Sequence, residues 1–346
     1  MIERTTIHDV AKAAGVSIAT VSRVLNAPAQ VRPETVAAVR QAMAALGYRP
    51  NINGRRLKSA LSGAIGVLVP SLENPVFADS VGGIDQAARD AGLTLLLTTS
   101  NYDPAQERQA IATLLSNRVD GLILTVADAE GSPTIDALRA EGVPFVLLYN
   151  QPQSQGLASV SVDNAAASAE ITGALIAKGH RRIAMVAGEF ASSDRSRQRY
   201  HGFRAALDGA GLTEAPLIEV NFNSPDMAAR LSQVLGGQDR PTALVCSNDM
   251  LAIAALRACR DLGLETPRDI SIVGFDGIAV GELVQPSLCT VVQPTRDMGR
   301  QALAHLLDLI GGKAEPQSLL LPHSLRPGQS LGHSQEDQPR RPATEK

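Results

Sequence analysis

Few residues in this chain are arranged to make or break covalent bonds. The segment GQSLG (Gly328–Gly332) has the spacing of a hydrolase nucleophile elbow. Such an elbow needs a strand before its serine and a helix after it. Here Pro327 precedes it and a polar segment follows, so Ser330 is expected to be inert. The six histidines show no HExxH or paired spacing, and Cys246, Cys259 and Cys289 show no CxxC spacing. That pattern argues against a metal centre or a disulfide framework, and for free thiols in a reducing compartment. P-loop and GxGxxG motifs are absent, so no cofactor is expected and the chain does not read as an enzyme. What remains is recognition chemistry: a cluster of cations near the N-terminus, and polar side chains where apolar runs end.

Residues 1–58 hold nine Lys and Arg against three acids, a local charge of +6 in a chain whose total is −3. The remainder therefore carries −9. A cationic head on an acidic body suits a polyanion-binding module joined to a domain with another task. Three short helices are expected in the head. Thr6–Ala14 places Ile7, Val10, Ala11 and Ala14 on one face. Gly15 supplies the turn, Val16 plugs the core and Ser17 caps the second helix, whose buried stripe is Val21, Val24 and Leu25. The third helix opens at Pro33, buries Val36, Val39, Met43 and Leu46, and ends at Gly47. The first two helices and their tight turn fit a helix-turn-helix. Ile18, Ala19, Ser22 and Arg23 then face outward, where they reach base edges in the major groove. Arg23 can donate two hydrogen bonds to guanine, and Ile18 or Ala19 can touch thymine methyl groups. Thr6, Ser17, Thr20, Asn26 and Arg32 are candidates at or beside the phosphates, which position rather than specify.

The elements behind these residues follow from composition. At 346 residues the chain has room for two or three domains. Aromatics are only 3% and Trp is absent, so the core must come from Ala, Val, Leu and Ile. Apolar runs such as Leu93–Leu97 are far short of a membrane span, and MIERTTIHDV has no signal-peptide core. Residues 51–62 read as a linker. From Gly63 the pattern becomes buried strands at AIGVLVP, LTLLLTT, DGLILTV and PFVLLY, separated by helices over Val76–Ala91, Ala105–Asn117 and Thr134–Glu141. A second series follows Asp163, with RIAMVAG, PLIEV, TALVCS and ISIVGFD. Two strand–helix series predict two doubly wound parallel-sheet lobes. The expected division is a head over 1–50, a linker or hinge over 51–62, and a body over 63–326. Lobe 1 takes about 63–161 and 292–320, and lobe 2 about 162–291 and 321–326. The polar segment 327–346 is expected to be a disordered tail.

DVAKAAGVSIATVSRVLN (Asp9–Asn26) and VRPETVAAVRQAMAALGYRPN (Val31–Asn51) closely resemble the head of the lactose-repressor (LacI/GalR) family. The resemblance continues through IGVLVPSLENPVF, VDGLIL, VDNAAA, KGHRRIA, CSNDMLAIAAL, DISIVGFD and VVQP, to about Gly328. It implies a dimeric cytoplasmic regulator on the nucleoid, normally a repressor, whose two heads read a near-palindromic operator. It implies a linker that folds into a hinge helix on DNA, with a leucine wedged into the minor groove. Leu57 falls at that leucine, and Arg55, Arg56 and Lys58 become groove or phosphate contacts. Gly54 stands where the family usually has Ala, which costs a helix roughly 0.8–1 kcal/mol. A weak, DNA-dependent hinge helix follows, and Gly54→Ala should tighten operator binding. Arg32 stands where a capping Ser is common.

The resemblance also implies a body of the type I periplasmic-binding-protein-like fold, with a small molecule between the lobes. Open parallel sheets bind ligands at the carboxyl ends of their strands. Tyr149 and Asn150, Asn248 and Asp249, and Asp276 stand there. By the resemblance, Arg199 aligns with the ligand-anchoring arginine, and Phe77 and Phe222 with aromatic walls. Asn74, Asp163, Ser193 and Gln293 complete the candidate set, with Asp163 and Asn164 expected chiefly to cap the following helix. Tyr149 stands where several sugar-binding members carry Asp. The segments around Pro70–Phe77 and Asn117–Thr125 are most similar to gluconate-responsive members, and Arg195, Arg197 and Arg199 add positive charge. The expected effector of this carbohydrate-metabolism regulator is a sugar, sugar acid or sugar phosphate. The alternatives are a sugar-binding receptor without a regulatory role, against which the head counts, and a small-sugar hydrolase using Ser330. The tail lacks leucine heptads, so a homodimer is expected rather than a tetramer.

Overall fold

Three helices of the body start with a small polar cap followed by proline. Asn74–Pro75, Asp103–Pro104 and Ser132–Pro133 each open a helix, with the cap side chain accepting a backbone N–H and proline filling a position that needs none. The computed structural model describes residues 5–48, 61–212, 215–222, 227–237 and 240–334. The chain forms two units, Met1–Gly63 and Ala64–Lys346.

The head holds α1 (Ile7–Ala13), α2 (Ile18–Asn26), a single 3-10 turn (Pro28–Gln30) and α3 (Pro33–Ala45). Its core is Val10, Ala11, Val21, Val24, Val39 and Ala42, with Ile7, Val16, Val36 and Met43 packed around it. Gly15 adopts φ +65°, the left-handed conformation that the tight turn requires. One core expectation fails: Leu46 is 38% exposed. It is the C-cap of α3, where the chain has already left the helical stripe, and Ala42 takes the buried position.

The body contains two six-stranded sheets. The first comprises β1 (Ala64–Val69), β2 (Thr94–Thr99), β3 (Gly121–Leu124), β4 (Phe145–Leu148), β5 (Ser159–Ser161) and β11 (Ser318–Leu320), in the order β11-β5-β4-β3-β1-β2 and parallel throughout. Around it lie α4 (Pro75–Asp90), α5 (Pro104–Ser116), α6 (Pro133–Ala140) and α12 (Thr295–Ile310). Helices α4 and α12 approach until Gly83 and Gly299 face backbone carbonyls across the interface, where any Cβ would overlap Arg296 or Ser80. The second sheet comprises β6 (Ile183–Gly188), β7 (Leu217–Val220), β8 (Ala243–Cys246), β9 (Ser271–Asp276), β10 (Cys289–Val292) and β12 (Ser324–Arg326). Its order is β12-β10-β9-β8-β6-β7, with only β12 antiparallel. Its helices are α7 (Asn164–Ala177), α8 (Asp194–Gly209), α9 (Met227–Leu235), α10 (Asp249–Asp261) and the short α11 (Val280–Leu283). The chain passes between the sheets after β5, after β10 and after β11. No helix among the described residues is long and apolar enough to cross a membrane.

The segment expected to be a disordered tail is instead ordered as far as Ser334. Ser330 is fully buried, donates from Oγ to the Ile272 carbonyl at 2.6 Å and accepts from the Cys289 amide at 2.9 Å. Gly332 N–H donates to Ser271 Oγ, and the Gly332 carbonyl lies 3.2 Å from His180 Nε2. Polar composition misled here because these hydroxyls and amides are spent on the sheet. The GQSLG serine thus serves structure, as does His180, whose Nδ1 lies 3.0 Å from Thr242 Oγ1. All three cysteines are buried and free.

Candidate functional site

On the head, Ser17 Oγ accepts the Thr20 amide at 3.1 Å and fixes the start of α2. Ala19 and Arg23 are exposed, Ser22 and Thr20 half-buried, and Ile18 is 40% exposed despite its apolar side chain. The exposed Ile18 opens α2, and Arg23 lies in its last turn. Thr6 is occupied in a capping box: its hydroxyl and Asp9 exchange bonds, and Asp9 Oδ2 accepts the Thr6 amide at 2.8 Å. Those hydrogen bonds hold the Asp9 carboxyl below its ordinary pKa. Arg32 is exposed and makes no side-chain cap on α3. Arg55, Leu57 and Lys58, with Gly54 and the expected hinge, lie outside the described residues, as does the side chain of Asn26.

In the body, the strand orders reverse beside β1 and β6, and the loops leaving the carboxyl ends of both sheets converge there. They leave a void of about 330 Å³ that is continuous with solvent. Of the expected ligand-contacting residues, Asn74, Phe77, Tyr149, Ser193, Arg199, Phe222, Asn248, Asp276 and Gln293 line it, and Asn150, Asp163 and Asp249 do not.

Arg199 and Asp276 sit at its centre. Arg199, on α8, donates from Nε to Asn164 Oδ1 at 2.9 Å and from Nη1 to the Ser247 carbonyl at 2.5 Å. Its guanidinium carbon lies 3.6 Å from the centroid of the Phe275 ring, a cation–π contact. Nη1 is also 3.4 Å from Asp276 Oδ1. Asp276 accepts from Gln293 at 2.8 Å and from Asn74 at 3.5 Å, so residues from both lobes meet on one carboxylate. Burial lowers the Arg199 pKa to about 10 and raises that of Asp276, the latter opposed by Arg199. Asp276 adopts φ +118° and Tyr149 φ +71°, conformations that side chains with a Cβ rarely take. Strain of this kind persists where surrounding contacts enforce it.

The walls are aromatic. Tyr102 stacks on Phe222 with centroids 4.3 Å apart and planes at 25°. Phe77 meets Tyr149 edge-on at 5.5 Å. Gly188 makes room for the Phe222 ring, which a Cβ would overlap. The Tyr149 hydroxyl donates to the Val76 carbonyl at 2.8 Å, so this phenol braces the wall rather than offering a free donor. Burial raises the Tyr149 pKa, and raises that of Tyr102 to about 12.

Three expectations are corrected. Asn150 is fully buried and does not line the void: it accepts the Val126 amide and donates to the Val126 carbonyl and to Asp194. Asp249 likewise turns inward, accepting from Thr290 Oγ1 at 2.5 Å and from the Ile278 amide at 2.8 Å. Arg197 leaves the cleft to pair with Asp128 at 2.8 Å. As expected, Asp163 caps α7. Val76, Tyr102, Ser196 and Ser247 line the void without having been placed there from sequence, and Arg195, expected as positive charge near the cleft, lines it too. Tyr102 carried one legible signal: an aromatic at a strand end in a chain with few aromatics.

Comparison with known proteins follows the same division. Residues 6–51 match the family described as bacterial regulatory proteins, lacI family, and residues 62–327 match periplasmic binding proteins and sugar binding domain of LacI family. The HTH-type transcriptional repressor PurR of Pectobacterium carotovorum subsp. carotovorum (strain PC1) is 35% identical over 323 residues, 92% of this chain and 94% of its own. The HTH-type transcriptional regulator GntR of Escherichia coli (strain K12) is 33% identical over 332 residues, 95% and 99% of the two chains. The crystal structure of the lac repressor dimer bound to operator and the anti-inducer ONPF is 30% identical, with a TM-score of 0.85 over 95% of this chain and all of that one. A helix-turn-helix head, a body of two doubly wound lobes and likeness along nearly the whole length place the chain in the LacI family of bacterial transcriptional regulators.

Proposed function

We propose that this protein is a homodimeric cytoplasmic repressor whose grip on a near-palindromic operator is set by a small sugar, sugar acid or sugar phosphate held between its lobes. As a LacI-family member the chain is a sequence-specific DNA-binding regulator and not an enzyme. The carrying observation is that polar side chains from both lobes meet on Asp276. A ligand that binds there takes its hydrogen bonds from both lobes, and so has a different affinity for each inter-lobe arrangement. Differential affinity is what shifts a conformational equilibrium. In the head, Ile18, Ala19, Ser22 and Arg23 read bases. Ser17, Thr20, Asn26 and Arg32 hold phosphates, with Arg55, Leu57 and Lys58 acting in the hinge on the nucleoid. Thr6 positions α1 through its capping box.

The test is to select operator sequences from random duplex DNA with the full chain, then to follow binding by fluorescence anisotropy as sugars and sugar acids are added. A selected palindrome whose affinity changes with one of these ligands is expected. Failure to enrich any sequence would remove the regulatory reading. An operator complex indifferent to every ligand that binds the body would remove the coupling between lobes and head.

A further inference from the structure

Arg195 is the cleft residue whose hydrogen bonding is incomplete. It stands in the first turn of α8, is 4% exposed, and lines the void with Arg199. Its Nη1 donates to the Val126 carbonyl at 2.6 Å and lies 3.3 Å from Asp194 Oδ1. Its Nη2 is buried and has no partner among the described residues. Asp194 does not complete it, because both oxygens are engaged by the Asn150 amide at 2.9 and 2.8 Å, and Oδ2 also accepts the Ala129 N–H at 3.1 Å. One arm of the guanidinium is thus anchored from behind while the other is withdrawn from water and unfilled. A buried cationic donor left in that condition is costly, and a ligand acceptor relieves the cost.

The surroundings favour a negative acceptor. Three helices of nine residues or more begin at the void, α4 at Asn74, α8 at Ser193 and α10 at Asn248, and each cap residue lines it. Helix N-termini carry partial positive charge and bind anions. Among the lining residues Asp276 is the only carboxylate, and it is already held by Arg199, Gln293 and Asn74.

Resting on the reading of this cleft as the effector site, we propose that Arg195 forms an oxyanion seat in it. The effector then carries a carboxylate or a phosphate as well as hydroxyls. Its anionic group accepts a charge-assisted hydrogen bond from Nη2 of Arg195, the arm left without a partner among the described residues. Its hydroxyls take the Asp276 end. Neutral sugars lack the group that fills the seat.

Isothermal titration calorimetry on the full chain tests this with four probes: inorganic phosphate, D-gluconate, D-glucose 6-phosphate and D-glucose. Binding of at least one anion is expected, with D-glucose weaker by about 10- to 100-fold, the range of a lost charge-assisted hydrogen bond. Gluconate against glucose 6-phosphate separates the carboxylate source from the phosphate source. Arg195→Gln should remove the preference for the anion, and Arg195→Lys should keep part of it. Equal or tighter binding of D-glucose overturns the proposal, as does silence from all three anions at tens of millimolar. An anion affinity unchanged in Arg195→Gln overturns it too. The wild-type comparison stands even if a variant fails to fold. Binding of selected operator by the same preparation separates the outcomes: operator bound without anion binding sinks the seat alone, and loss of both sinks the regulatory reading.

Discussion

Asp249 shows what burial does to a single carboxyl in this fold. Burial, then the nearby Asp276 charge, raises its pKa from 3.8 to about 7. Between those values the folded protein holds a proton that the unfolded chain has released. Stability from this group is therefore greatest below about pH 4 and declines as pH rises toward 7. Asp276, Asp194 and Glu107 are shifted in the same direction, chiefly by burial. Asp249→Asn fits the site: Oδ1 can accept the Ile278 amide, and the new amide can donate to Thr290 Oγ1, whose hydrogen turns to the Val291 carbonyl 3.2 Å away. The variant should lose part of the pH dependence, gaining stability relative to wild type by the order of a few kcal/mol near pH 8 and little near pH 4. Urea melts at the two pH values measure this, and identical differences at both would refute it. At this scale the sequence was informative for residues that terminate a strand or match a spaced motif, such as Asp276 and Arg199. It was misleading for Asn150 and Asp249, which occupy the same strand-end positions but spend their polar atoms on the backbone behind the site. Arg195 was legible only as charge, since nothing in its spacing tells that one arm is anchored and the other is not.

Elements were read best where their boundaries are chemical. Caps followed by proline opened α4, α5 and α6 within a residue or two of their expected starts, and the eight long apolar runs all became strands. The short strands β5, β11 and β12, three residues each, carry too little periodicity to stand out. The serines of β5 are buried, and Ser159 donates to Ser318 on the neighbouring strand, so burial there does not require an apolar sequence. Helix α3 offers a test of how the head divides stability from affinity. Arg32 occupies its N-cap without capping it. Arg32→Ser should stabilise the head by about 1 kcal/mol through a restored cap. If Arg32 contacts a phosphate, the same change should reduce the slope of log affinity against log salt by about 0.9. Thermal melts and anisotropy at several salt concentrations read the two effects separately. An unchanged slope would assign Arg32 to solvent.

Across the whole molecule, the +6 of residues 1–58 and the −9 of the remainder make the cationic charge a local property that the net −3 conceals. Continuity of the chain is also divided unevenly. The first sheet begins at β1 but is completed only by α12 and β11, and the second is completed only by β12 and the segment through Ser334. A chain ending at residue 290 should therefore lack any cooperative body transition in calorimetry, whereas one ending at Ser334 keeps every described contact. A sharp body melt in the shorter chain would contradict this. The consequence reaches protein synthesis. The helical head can fold as soon as it clears the ribosome, but both lobes must wait for the last residues, some tens of seconds later at about 5–20 residues per second. For that interval the nascent protein presents a finished cationic reading head on an unfinished, uncontrolled body. A copy still being made can therefore present its head before a ligand can govern it.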